Sequence, residues 1–250
     1  MRRDRTLIAM MAVCLALFIA GTLFDEPVEW FMVEHGSSFV SAVAAAIGPL
    51  PPYVMLSMCF AYLSRENRFL EIGSVVFAFV SGWSLFHRFV DGIGLLVSVF
   101  VTGIAIYGLM KWLVSRMESS DENRKKIITS IVVIVIARLI VEVMKIVFAR
   151  PRFVYLCELD ASYTPWFRAG GPVLSDDRFK SFPSGHAMSA ALLYMRTMWK
   201  DGRKWKGIAI CFALFVSLGR MMCGMHYLTD VAMGMFVGYG SLYLMKSMLE

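Results

Sequence analysis

The chain has 250 residues, of which 58% are hydrophobic and 18% charged, with a mean hydropathy of +0.64 and a formal net charge of +6. Soluble domains carry roughly 25% charged residues, and so few charges could not cover this much apolar surface; a water-soluble globule is excluded and lipid is the expected solvent. The positive balance does not point to nucleic acid, because the basic residues are scattered between apolar runs and form no stripe along one face.

A helical crossing needs about 20 apolar residues, which leaves room for roughly six to eight. Apolar runs fall at 7–23, 39–63, 69–86, 93–113, 127–148, 187–199, 207–222 and 227–245. They predict an all-α polytopic transmembrane helical bundle of about eight crossings, with a six-helix core as the alternative. The first run follows a basic flank, Arg2, Arg3 and Arg5, but it is long and shows no small-x-small cleavage site, so it reads as a retained crossing. The second is interrupted from Gly48 to Pro52, so residues 28–47 could instead form an interfacial helix ahead of a shorter crossing. Residues 1–126 are expected to be amino-terminal transmembrane helices and 127–250 a catalytic core. The polar stretch 152–182 exceeds ordinary connections and reads as an outer lid or binding loop.

Sixteen of the 25 Lys and Arg fall on one side if the amino terminus is cytoplasmic, which predicts that both termini are cytoplasmic. Arg138 and Lys145 lie inside the fifth run, while Arg88, Arg150, Arg152, Arg168, Arg178, Lys180 and Arg220 fall outside. Cations concentrated where topology disfavours them suggest an anion site. Headgroup pairing explains them equally well until their surroundings are considered. The five cysteines show no CxxC spacing and predict neither zinc nor a disulfide ladder. An oxidising compartment would allow Cys157 and Cys223 to pair.

Three segments carry chemistry. At the outer end of the fifth run, Lys145 and Arg152 stand seven residues apart, about two helical turns, and Pro151 ends the helix. Lys145, Arg150 and Arg152 can therefore gather at one helix end. The segment Phe182 to Ala190 opens the sixth run with Pro183, Ser184, Gly185 and His186: a helix cap, a residue that admits close approach, and an imidazole at an anion-binding helix start. In the third, Gly219 to Asp230, His226 and Asp230 are i and i+4, so on a helix the carboxylate would reach the imidazole and hold one tautomer, with Arg220 six residues upstream of His226.

In this order and at outer helix ends, the three segments resemble the signature of the type 2 phosphatidic acid phosphatase family, which shares its site with vanadium-dependent haloperoxidases. The matching positions are Lys145 and Arg152; Pro183, Ser184, Gly185 and His186; and Arg220, His226 and Asp230. Phe153 stands where the family usually has Pro and Gly219 where it usually has Ser. The resemblance implies hydrolysis of a lipid phosphate monoester or diphosphate at the periplasmic face of an inner membrane, without metal or cofactor. It implies that His226 attacks phosphorus, Asp230 orients it and His186 protonates the leaving oxygen. Lys145, Arg152 and Arg220 would hold the phosphate oxygens with Ser184 and Gly185. The expected partner is a phosphorylated membrane lipid, with no nucleic acid. Candidates are phosphatidic acid, phosphatidylglycerol phosphate, undecaprenyl diphosphate and the phosphates of lipid A. A lipid phosphotransferase using the same first half-reaction, or an anion transporter or channel, are the alternatives.

Other charged groups have simpler readings. Arg138 and Glu142 are i and i+4 and neutralise each other, with Glu142 one turn from Lys145. His35, His87, Arg88 and Asp91 fit headgroup contact. Trp166 and Phe167 are candidates to rest on the bilayer or cover an acyl chain. Gly234 and Gly238 have GxxxG spacing, which implies close helix packing.

Overall fold

A computed structural model describes residues 4–158, 162–168, 176–199 and 202–250. Arg2, Arg3 and Lys200 of the topological cations, and parts of the predicted loop 152–182, lie outside the described residues. Among those described, every regular element is helical: α1 (Arg5–Glu34), α2 (Ser38–Ile47), α3 (Leu50–Leu63), α4 (Glu71–Phe86), α5 (Gly92–Ser115), α6 (Asp121–Phe148), α7 (Phe153–Glu158), α8 (Gly185–Ala191), α9 (Arg196–Trp199), α10 (Arg203–Met221) and α11 (Leu228–Leu249). Three residues of 3₁₀ helix lead into α4, and a 3₁₀ turn at Leu192–Met195 joins α8 to α9.

Among the described residues, four helical stretches are long and apolar enough to cross a membrane: Arg5–Glu34, Ser38–Leu63, Arg68–Phe86 and Gly92–Ser115. Large apolar side chains line the outside of the bundle, with Leu23 of α1 73% exposed and Ile93 of α5 81% exposed. An apolar surface of this kind is stable facing acyl chains and not water.

The helix starts follow ordinary capping chemistry. The Asp4 carboxylate accepts from the N–H groups of Thr6 and Leu7 to open α1, and the Ser120 hydroxyl accepts from Asn123 N–H to open α6. α6 stops at Ala149, which adopts φ 41° in the left-handed region, two residues before Pro151. The break at Gly48 and Pro49 separates α2 from α3 as the sequence suggests. The possible interfacial helix over 28–47 does not form as one element. Residues 28–34 belong to α1, which runs through Pro27 and ends near His35. The reason is tertiary: α1 packs along α11 more extensively than any other helix pair, burying Asp25 and Glu29 against the core.

α8 is the centre of the fold. Six of its seven residues are buried, and it packs against α10 and α11, with α6 behind. Ala187, Ala190, Ala191, Met188, Val141, Ala213, Val216 and Tyr239 belong to this core. The GxxxG pair does pack closely. A Cβ on Gly234 would meet the Ser184 carbonyl oxygen, and one on Gly238 would lie 2.8 Å from Ala191 Cβ. α11 therefore lies directly against the start of α8. Helices α3, α4 and α5 form a second group, which reaches the core through α3 against α6.

Candidate active site

Backbone hydrogen bonds join the three chemical segments at one end of the bundle. Arg152 N–H donates to Arg178 O at 2.9 Å and Ser181 N–H to Arg150 O at 3.0 Å, tying the first segment to the second. Val154 N–H donates to Gly224 O at 2.9 Å and Ser184 N–H to Asp230 O at 2.9 Å, tying both to the third. Each loop thus satisfies the polar backbone of the next, which a buried turn requires.

His226 lies in the turn between α10 and α11 and is 2% exposed. The expectation of a helical i, i+4 pair with Asp230 needs correction, because Tyr227 is extended and caps α11, leaving His226 before the helix. The His226 Nδ1–H donates to Ser181 O at 2.7 Å, while Asp230 Oδ2 is 3.8 Å from Nδ1. The carbonyl therefore fixes the tautomer and leaves Nε2 with its lone pair. Burial pushes the imidazole down to about 4, with Asp230 opposing and Arg220 and Arg152 reinforcing the shift, so the ring is neutral near pH 7.

Asp230, the third residue of α11, is fully buried. Oδ2 accepts from Tyr227 N–H at 2.9 Å and from the Ser181 hydroxyl, and Oδ1 accepts from Arg150 Nη1 at 2.6 Å. Ser181, which no motif marks, thus holds both members of the pair, His226 through its carbonyl and Asp230 through its hydroxyl.

The arginines divide sharply. Arg150 is 0% exposed and its polar hydrogens all have acceptors: Nε donates to Thr164 O, Nη1 to Thr229 and Asp230, and Nη2 to Asp25 and the Tyr163 hydroxyl. It also stacks on the Tyr227 ring, 3.8 Å from its centroid. Arg150 therefore turns away from Lys145 and Arg152, and the expected gathering of three cations at the end of α6 does not occur. Arg152 and Arg220 are different: their Nε atoms are buried without a hydrogen-bond partner, and among the described residues neither has a carboxylate within salt-bridge distance. The other polar contact of Arg152 is Nη1 on the Met225 sulfur at 3.7 Å. Both face His226 closely enough to act on its charge.

Gly185 opens α8 beside two more cations. A Cβ there would lie 3.3 Å from Lys145 Nζ and 3.2 Å from Arg138 Nη1. Lys145 is held by Glu142 at 3.2 Å, and Glu142 also pairs with Arg138 at 2.9 Å, as the spacing along α6 predicts. Ser184 is the cap of α8, its hydroxyl accepting from Ala187 N–H at 3.3 Å. His186 follows on the first turn, in electrostatic range of His226, Arg220 and Lys145. Outside cations with no part here are already paired: Arg178 with Asp176 at 2.7 Å and Lys180 with Asp177 at 3.1 Å.

The two departures from the expected motif have packing explanations. A Cβ at Gly219 would collide with Ala44 Cβ of α2, so the close approach of α2 to α10 excludes the usual serine. Phe153 begins α7 and is 3% exposed, its ring edge-on to Trp30 at 4.8 Å and to Tyr227 at 6.1 Å. Trp166 does not rest on the bilayer. It packs among Phe18, Phe148 and Phe182 and donates to the Thr22 hydroxyl at 3.1 Å, whereas Phe167 is exposed. Cys157 and Cys223 are free thiols. His35 and His87 each place Nδ1 on a carbonyl of their own helix, away from the site.

Asp25 belongs to no motif, and its one mark in the sequence is that of an acid near the end of a long apolar helix. Among the described residues no group of three or more His, Cys, Asp and Glu side chains is placed to hold a metal ion. No solved structure matches the chain. A family model described as PAP2 superfamily matches residues 126–250, which contain all three chemical segments, and the chain belongs to the PAP2 superfamily.

Proposed function

We propose that the protein is an integral-membrane lipid phosphatase acting at the periplasmic face of an inner membrane, with eight crossings and both termini cytoplasmic. The observation that carries this reading is the pair of guanidiniums of Arg220, buried, and Arg152, half-buried, each with a buried Nε that lacks a hydrogen-bond partner and, among the described residues, no carboxylate partner, beside a neutral imidazole. Buried cations without counterions are costly, and a bound phosphate would supply the missing charge and acceptors. The cations gather at one end of the helical bundle; with that end at the outer face they would meet lipid headgroups, which favours a lipid substrate.

In the mechanism, Lys145, Arg152 and Arg220 hold the nonbridging oxygens, and the Gly185 N–H completes the cradle. The Nε2 lone pair of His226 attacks phosphorus and the bond from phosphorus to the ester oxygen breaks; His186, which burial and the neighbouring cations hold neutral before substrate binds, takes up a proton when the phosphate dianion binds and gives it to that oxygen. Asp230 stabilises the positive charge that forms on His226. Water then attacks the phosphohistidine, His186 takes the water proton, and phosphate leaves as His226 regains its lone pair. The cations neutralise the charge that a metal ion handles in other phosphoryl-transfer sites, so turnover is expected to survive a strong chelator.

The test is phosphate release by detergent-purified protein from phosphatidic acid, phosphatidylglycerol phosphate, undecaprenyl diphosphate and lipid A, with and without chelator. Activity toward at least one lipid, abolished in His226→Gln, is expected. Undiminished turnover by His226→Gln would remove the nucleophile assignment, and a strict magnesium requirement would remove the metal-free mechanism. Phosphorylated lipid appearing in place of free phosphate would mark a phosphotransferase.

A further inference from the structure

Asp25 belongs to α1, outside the 126–250 segment that the family model covers, yet it is 1% exposed and lies against the start of α11. Its Oδ1 accepts from Thr229 N–H at 2.8 Å, and its Oδ2 accepts from Arg150 Nη2 at 3.0 Å and from the Thr229 hydroxyl. The approach depends on Gly21, one turn earlier, where a Cβ would lie 2.9 Å from Thr229 Cγ2 and 3.0 Å from Thr229 N. One residue beyond Thr229 is Asp230, bound to the same guanidinium through Nη1. A single arginine is therefore shared by two buried carboxylates from opposite ends of the chain.

We propose that Asp25 is a positioning residue for phosphoryl transfer: by sharing Arg150 and capping the start of α11, it sets both the place and the charge of the Asp230 carboxylate that serves His226. The inference rests on the phosphatase reading given above. The geometric chain runs from Asp25 to Arg150, from Arg150 to Asp230, from Asp230 to the Ser181 hydroxyl, and from the Ser181 carbonyl to His226 Nδ1. The electrostatic part follows from counting charges. If Arg150 paired with Asp230 alone, the two would cancel and little negative potential would reach the imidazole. With Asp25 as a second carboxylate on the same cation, the cluster keeps an excess negative charge while every guanidinium N–H stays satisfied. That charge favours the cationic ring formed when His226 bonds phosphorus. Also facing the cluster are Glu29, one turn along α1 itself, the Tyr163 and Tyr227 rings against Arg150, and Arg220 and Arg152 beside His226.

The arrangement makes α1 part of the catalytic core and not merely a membrane anchor for it. A merely structural Asp25 would change the folded fraction but leave turnover per folded enzyme alone. A positioning role lowers kcat while leaving KM and phosphate affinity, which belong to Lys145, Arg152 and Arg220.

The experiment compares Asp25→Asn, which removes the charge at constant size, and Asp25→Ser, which keeps an acceptor for Thr229 N–H and admits water. For each, kcat and KM are measured on the lipid hydrolysed best by wild type, normalised to folded protein. Orthovanadate affinity is measured alongside, and the exchange of the His226 Nδ1 proton is followed by NMR on histidine-labelled protein. The expected result is a fall in kcat on the order of 10- to 100-fold, typical of groups that orient a reacting side chain. KM and orthovanadate affinity should stay within about threefold, and the Nδ1 proton should exchange at least tenfold faster. Unchanged kcat per folded enzyme with a slow Nδ1 proton, or failure of both variants to fold, would assign Asp25 a purely structural role and overturn the proposal. If wild type itself releases phosphate from no lipid, the phosphatase reading fails, and the Nδ1 exchange still decides whether Asp25 positions His226.

Discussion

Arg150 and Arg152 stand two residues apart, and replacing each by alanine should give opposite phenotypes. In Arg150→Ala the buried carboxylates Asp25 and Asp230 lose their shared cation, and Thr164 O, the Thr229 hydroxyl and the Tyr163 hydroxyl lose a partner. Removing one member of a buried ion pair costs about 3–5 kcal/mol. In a chain of this size each kcal/mol moves the melting temperature by about 2–4 °C, so Tm should fall by roughly 6–20 °C. Arg152→Ala removes a guanidinium with a buried, unpartnered Nε and, among the described residues, no carboxylate partner, so none of these groups is orphaned and Tm should stay within about 2 °C of wild type. Activity should instead fall about 10²- to 10³-fold, the usual consequence of deleting one group that binds developing charge.

The assay pairs thermal unfolding of detergent-purified protein with phosphate release per folded molecule. Orthovanadate sharpens it, since a ligand at 100 times its Kd stabilises by about 2.7 kcal/mol. Wild type should melt several degrees higher in orthovanadate, and Arg152→Ala should lose most of that shift. Equal loss of Tm in Arg152→Ala and Arg150→Ala, or an Arg152→Ala variant that kept both turnover and the orthovanadate shift, would rule out this division between the two arginines.

Two further outcomes follow from the site and its packing. The chain has four histidines, so ¹⁵N-histidine labelling should resolve His226 as the neutral Nδ1–H tautomer at pH 6, with protonation only as pH falls toward about 4; half-protonation near pH 6.5 would contradict the burial argument. Restoring the family's serine in Gly219→Ser should destabilise the protein by about 1–3 kcal/mol, because its Cβ overpacks against Ala44, and Gly219→Ser with Ala44→Gly should recover much of the loss; equal melting of wild type and Gly219→Ser would show that α2 and α10 do not approach as described.

Features set by local chain chemistry can be read from the order of residues alone. Apolar run length marked where α1, α3 to α6, α8, α10 and α11 would form, because a lipid-facing helix needs unbroken apolar residues. Ser184 read as a helix cap, Gly234 and Gly238 as a close-packing face, and Glu142 as the neighbour of Arg138 and Lys145, since each relation spans a turn or two of one helix. Which arginine is saturated and which is open depends instead on how distant segments pack. Arg150 and Arg152 have the same charge and nearly the same position in the chain, but Asp25 lies 125 residues from Arg150 and Asp230 lies 80 residues away. The same tertiary packing decides that His226 sits ahead of α11 and takes its tautomer from Ser181, and that Gly219 is required by Ala44. These are partnerships between distant segments brought together by burial, and no spacing within a single helix encodes them.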